Sequence, residues 1–148
     1  GSLSIILCYY HFKDLQLKQT YQVINYFAVS TFLSSIGSSI GIARSGSFQC
    51  WFEGIITNIF TLSSVFWNVV INYIMYSVVK GHPFTISYDI HIFCWLFPII
   101  VTLLPLINSR YGNDGGNWCF VIPSDSAPVW FSDFWTWFSF YIWIWLAV

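Results

Sequence analysis

The chain has 148 residues and a formal net charge of −1; 57% of the residues are hydrophobic, 22% are aromatic and only 7% are charged. An ordinary soluble domain devotes about a quarter of its residues to charge, so the composition argues against one and directs the reading to the bilayer. Neither a cofactor nor a nucleic-acid partner is expected.

Residues 1–12 open with an apolar stretch, 3–10, that is too short to cross the hydrocarbon, which takes about 20 residues. No basic segment precedes it and no small-residue cleavage site follows, so it reads as the end of a helix rather than a signal peptide. The polar segment 11–20 carries Lys13 and Lys18. Residues 21–42 contain no Asp, Glu, Lys or Arg and form the first full predicted span. Within it Ser30, Ser34, Gly37 and Gly41 make a small-residue seam that lets another helix approach closely. The segment Gly37-Ser-Ser-Ile-Gly41 matches GxxxG, and packing is its expected role.

Residues 50–79 hold Glu53 as their one charged residue. At 100° per residue, Glu53, Thr57, Asn58, Thr61, Ser64, Asn68 and Asn72 gather in one sector, opposite Ile, Leu, Val, Phe and Tyr. Polar groups are costly against lipid, so the stripe is expected to face the bundle interior or a wet cavity. Two roles are open to it. Its Asn and Thr residues can serve as interhelical hydrogen-bonding groups, or the outer part, Glu53, Thr57, Asn58 and Thr61, can line a ligand cavity. Glu53 is the leading candidate for the second role because an ionisable group there demands a partner; the alternative is that it reaches interfacial water.

After Lys80 and His82 in the segment 80–89, residues 90–107 make a further apolar run with His91 near one end and Pro98 and Pro105 inside. Neighbouring helices can re-satisfy the carbonyls those prolines free. The polar segment 108–130 contains Asn113-Asp-Gly-Gly116, a turn signal, and residues 131–148 are apolar with Asp133 at the edge. The expected fold is therefore all-α, a polytopic transmembrane bundle: the end of one span at 1–12, full spans at 21–42, 50–79 and 90–107, most of another at 131–148, and further helices outside this stretch.

Cys50 heads the 50–79 run, and Trp118-Cys119 lies in the polar segment two apolar runs later. If those runs cross a bilayer, both thiols reach the same face, where a disulfide could tie a helix end to a loop. Disulfides persist in oxidising space, which puts the loops 43–49 and 108–130, with Arg44 and Arg110, outside the cytoplasm. Lys13, Lys18 and Lys80 then lie on the cytoplasmic side, and three basic residues against two agrees with retention of Lys and Arg there. Cys8 and Cys94 fall in or near apolar runs and act as small hydrophobes.

Catalysis is not expected. The chain has no HExxH, phosphate-cradling Gly loop or CxxC, and His91 with Cys94 lacks the further ligands of a zinc site. A transporter would carry more intramembrane carboxylates or a broken helix pair.

Several segments resemble the slime-mould cyclic AMP receptors and their relatives in plants and other eukaryotes, which are seven-helix G-protein-coupled receptors. Phe66-Trp67 and Tyr76-Ser-Val-Val-Lys80-Gly resemble that family's Phe/Cys-Trp step and basic exit. His91-Ile-Phe-Cys-Trp95-Leu-Phe-Pro98 is similar to its His-x-x-x-Trp-x-x-Pro, and Tyr111-Gly112 with Trp118-Cys119 to its second extracellular loop. The chain departs from the pattern at Phe120, where the family often has Trp, and at Trp143 in Phe140-Tyr141-Ile-Trp143-Ile-Trp145, where the family has a helix-kinking Pro. It also lacks the Asp/Glu-Arg-Tyr ending of rhodopsin-like receptors. Secretin, adhesion and Frizzled-type receptors share the helix-to-loop disulfide and stay open as relatives.

The resemblance implies a plasma-membrane receptor in which an extracellular ligand shifts a two-state bundle toward binding a heterotrimeric G protein. Lys13, Lys18, Lys80 and His82 would face that G protein, although basic residues at these places would anchor any membrane protein. Trp118 would stack on the ligand or wedge the loop, and Cys119 beside it favours the wedge. Cyclic AMP itself is not expected, since Arg44 and Arg110 are the only outer basic residues to meet its phosphate. The competing class is a non-receptor membrane subunit whose aromatic surface packs against partner proteins.

Overall fold

The computed structural model describes residues 1–39, 47–82, 85–104, 111–113 and 119–121. In chain order these form α1 (Ser2–His11), α2 (Lys13–Gln16), α3 (Gln19–Ser38), α4 (Phe48–Val79), α5 (Tyr88–Leu103), β1 (Tyr111–Asn113) and β2 (Cys119–Val121). The expected span at 131–148, and with it the question of a missing Pro kink at Trp143, lies outside the described residues.

The termini of α4 follow from local chemistry. The Ser47 hydroxyl accepts the backbone N–H of Cys50 at 3.2 Å, satisfying one of the donors orphaned at a helix start. At the other end Gly81 takes a left-handed φ of 72°. This lets the Gly81 N–H reach Val78 O and the His82 N–H reach Ser77 O, each at 3.0 Å. That pair of bonds is a Schellman closure, whose turning point favours glycine because it has no Cβ to oppose a left-handed φ. Between these ends run 32 residues without a proline.

The apolar character of the helices differs. Among the described residues α4 is the one helix both long and apolar enough to cross a membrane, with a mean hydropathy of 1.6 over its best window, while α5 is a shorter apolar helix. The stretch 21–42 lacks charge, as noted, but α3 is rich in hydroxyls. Ser30, Ser35 and Ser38 donate to the carbonyls of Tyr26, Thr31 and Ser34 at 2.9, 2.9 and 3.1 Å. Bonds of this kind to residue i−4 satisfy a hydroxyl within its own helix. In α5, Asp89 in the first turn suits the positive end of the helix dipole. Pro98 inside the helix removes the N–H that would have met the Cys94 carbonyl.

Helix α4 packs against α3 along one side and α5 along another, and α1 packs against α3. The core between them is Val23, Leu62, Phe66, Trp67, Ile74, Cys94 and Val101. Four rings interlock within it: Tyr26 lies 5.0 Å from Trp67 and 5.2 Å from His91, and Trp67 lies 5.3 Å from His91 and 6.0 Å from Trp95. Lipid tails are as apolar as these side chains, so association here rests on close packing and ring geometry. Each edge-on or tilted aromatic pair contributes about 0.5–1.5 kcal/mol.

Two contacts set the ends of the bundle. The side-chain oxygen of Gln19 accepts the Ile86 N–H at 3.4 Å, joining the start of α3 to the segment before α5. At the far end of α4 the strands β1 and β2 form an antiparallel hairpin in the register Tyr111↔Val121, Gly112↔Phe120 and Asn113↔Cys119. The described architecture is helical as expected, and this short hairpin is an addition to it within the 108–130 loop. A period-2 pattern only three residues long on each strand is too short to separate from loop by sequence.

Candidate functional site

Cys50 and Cys119 are joined by a disulfide that spans 69 residues of sequence, with their Cα atoms 5.3 Å apart. Both are buried, and Gly112, opposite Phe120 in the hairpin, is buried as well. The bond and the contacts of both strands with α4 pin the hairpin against the first turns of that helix. The chemistry expected of these two cysteines is therefore present in the fold.

Glu53 follows Cys50 by one helical turn and has 0% of its surface exposed. The backbone of Cys119 approaches its carboxyl group as a hydrogen-bond donor, short of ideal geometry. One turn further, the Thr57 hydroxyl is buried without a partner among the described residues. It faces α3 where Gly37 stands: a Cβ on Gly37 would lie 2.6 Å from Thr57 Oγ1, 3.1 Å from Ile56 Cγ2 and 3.3 Å from the Thr57 backbone nitrogen. Asn58 is buried at 1% exposure. Thr61 and Ser34 share a hydrogen bond of 2.8 Å across the α3–α4 contact, and the Ser64 hydroxyl donates to the Thr61 carbonyl at 2.7 Å.

The polar stripe thus divides. Its outer part, Glu53, Thr57, Asn58 and Thr61, lies under or against other elements, whereas Asn68 and Asn72 are exposed. The cause is the path of α3, which meets α4 at Thr57 and Thr61 near the disulfide end but at Trp67 further along. By 100° per residue Trp67 lies about 80° around the helix from Thr57, so the lower stripe is left uncovered by α3.

The basic candidates collect at the opposite end. Lys13 opens α2, Lys18 precedes α3, Lys80 caps α4 and His82 follows it, and all four are exposed. Lys18 Nζ lies 6.0 Å from the Tyr21 ring centroid and Lys80 Nζ 5.8 Å from that of Tyr76, a cation–π range. The Gln19–Ile86 bond keeps the α2–α3 and α4–α5 connections near each other. Trp118, Arg44 and Arg110 lie outside the described residues. Sequence reasoning read Ser34 as a packing residue and missed its hydroxyl bond to Thr61; Tyr26, the ring at the centre of the aromatic cluster, carried no motif to mark it.

A long apolar helix packed between shorter ones and tied by a disulfide to a hairpin at one end fits a helical membrane protein, the class to which the family match points. The slime mold cyclic AMP receptor family matches residues 1–148, and the chain belongs to that family. Among curated proteins it is similar to "G-protein coupled receptor 1" of Arabidopsis thaliana, with 28% identity over 123 residues. That match covers 80% of this chain and 36% of the relative, so the chain spans about a third of the relative's length. No solved structure matches the chain.

Proposed function

We propose that the chain is part of a seven-helix G-protein-coupled receptor of the plasma membrane, which passes an extracellular ligand signal to a heterotrimeric G protein. The observation that carries this reading is the Cys50–Cys119 bond, which fixes a hairpin over a buried polar group at the head of α4, in a chain of receptor family. The loops 43–49 and 108–130 would be extracytoplasmic, since the disulfide needs oxidising surroundings. Glu53, Thr57, Asn58, Thr61 and Trp118 would line the ligand site beneath the hairpin. Ligand binding there would bias a bundle with two arrangements, and the exposed Lys13, Lys18, Lys80 and His82 would meet the G protein.

Nucleotide dependence tests the proposal. The full-length natural protein, extracted from its own membranes, is expected to retain G-protein subunits after nucleotide removal with apyrase and to release them on adding a non-hydrolysable GTP analogue. A stoichiometric complex with other membrane proteins that ignores nucleotide would overturn the receptor reading in favour of a membrane subunit.

A further inference from the structure

A crevice of about 330 Å³ runs between α4 and α5. Its walls are Phe66, Val69 and Val70 of α4 and Ile90 and Phe93 of α5, and Asp89, in the first turn of α5, stands at its lip. The Phe66 and Phe93 rings meet edge-on with centroids 5.1 Å apart, and the shorter side chains of Val69 and Val70 beside them leave the gap open. Val69 and Phe93 are 37% and 48% exposed, so the crevice opens sideways, where a bilayer around α4 and α5 would lie. It is remote from Glu53 and the hairpin: Val69 follows Glu53 by 16 residues of α4, about 24 Å at 1.5 Å per residue.

An apolar crevice that opens into a bilayer is filled by hydrocarbon, because an empty one forfeits the contacts of its lining and water there finds too few polar partners. The exposed Asp89 adds selection at the lip, the place where a spanning helix meets the headgroup layer. An ionised carboxylate only accepts hydrogen bonds, and its strong bonds come from charged N–H donors. Among zwitterionic headgroups, phosphoethanolamine carries a primary ammonium with such donors, while the trimethylammonium of phosphocholine has none. A phosphoglycerol headgroup would bring like charge. We propose that the crevice holds an acyl chain of a phospholipid with an ethanolamine headgroup, whose ammonium donates to the Asp89 carboxylate. This rests on α4 and α5 crossing a bilayer and is independent of G-protein coupling.

The test places the full-length natural protein in nanodiscs of phosphatidylcholine and phosphatidylethanolamine with matched chains, then extracts it in mild detergent and reads the retained lipid by native mass spectrometry. Phosphatidylethanolamine should be retained over phosphatidylcholine by about two- to fivefold, as for an exposed ion pair. Asp89→Asn should abolish that preference. Val69→Trp, and to a lesser degree the milder Val69→Phe, fill the crevice and should lower retention of both lipids. Leu103→Trp, at the other end of α5, should change neither. Equal retention of the two lipids, or a preference that survives Asp89→Asn, overturns the headgroup contact. Retention that survives both Val69 variants overturns the crevice as the seat. A wild type that keeps no lipid shows that another part of the protein closes the crevice, and the proposal falls. Release of the wild type from its own membranes by alkaline carbonate would instead remove the membrane reading itself.

Discussion

Gly37 and Thr57 sit so close that a methyl group on the glycine would stand 2.6 Å from the threonine hydroxyl. This contact is where α3 and α4 approach each other beside the buried Glu53, and the neighbouring 3.3 Å clearance to the Thr57 backbone leaves little room for the side chain to turn aside. Gly37→Ala is expected to destabilise the bundle by about 1–3 kcal/mol through overpacking, and Gly37→Leu by more. Thermal unfolding in detergent or nanodiscs reads this directly; an unchanged Gly37→Leu midpoint would contradict the contact.

One turn along, the Ser34–Thr61 hydroxyl pair bridges the same two helices. Measured couplings of this kind within membranes average about 0.6 kcal/mol and reach about 1.7 kcal/mol. A double-mutant cycle of Ser34→Ala with Thr61→Val should return a coupling in that range, while Ser35→Ala, which loses only a bond to its own helix, should show none with Thr61→Val.

The Cys50–Cys119 bond closes a long loop. In the chain-entropy description, closure over about 70 residues stabilises by roughly 4 kcal/mol. Cys119→Ser is expected to lower stability on that scale and to free the hairpin from α4. Peptide mapping under non-reducing conditions should show the Cys50 and Cys119 peptides joined and separated by reductant. Free alkylation of both thiols in the native protein would remove the frame on which the ligand-site reading stands.

The Gly81 turn offers a test remote from that site. Its φ of 72° is available to glycine at no steric cost and to other residues only with strain. Gly81→Ala should cost about 1 kcal/mol and fray the end of α4 next to Lys80 and His82. A Gly81→Asn variant, whose side chain tolerates the left-handed region, should recover part of the loss.

Trp67 has no exposed surface and touches rings from α3 and α5. Trp67→Ala should destabilise by about 3–5 kcal/mol, and Trp67→Phe by less, since a smaller ring keeps part of the packing. A loss confined to ligand response, with unfolding unchanged, would show that the cluster is not the joint between the three helices.

What the chain determined by itself follows from local rules. A run of 30 residues with Glu53 as its one charge marks a long apolar helix, and the structure closes its ends at Ser47 and Gly81 with bonds between neighbours within about one turn. The spacing of Cys50 and Cys119 across two apolar runs made their pairing readable once those runs were taken as antiparallel. The tertiary structure alone decided the rest. Whether a polar residue of the stripe is covered depends on the path of α3, which crosses from Thr57 to Trp67 and leaves Asn68 and Asn72 open; no periodicity within α4 carries that information. The hairpin of Tyr111–Asn113 with Cys119–Val121 exists because the disulfide and α4 hold two short strands together that have no such preference alone. Tyr26 and Ser34 acquired their roles in the same way, from what another helix places opposite them.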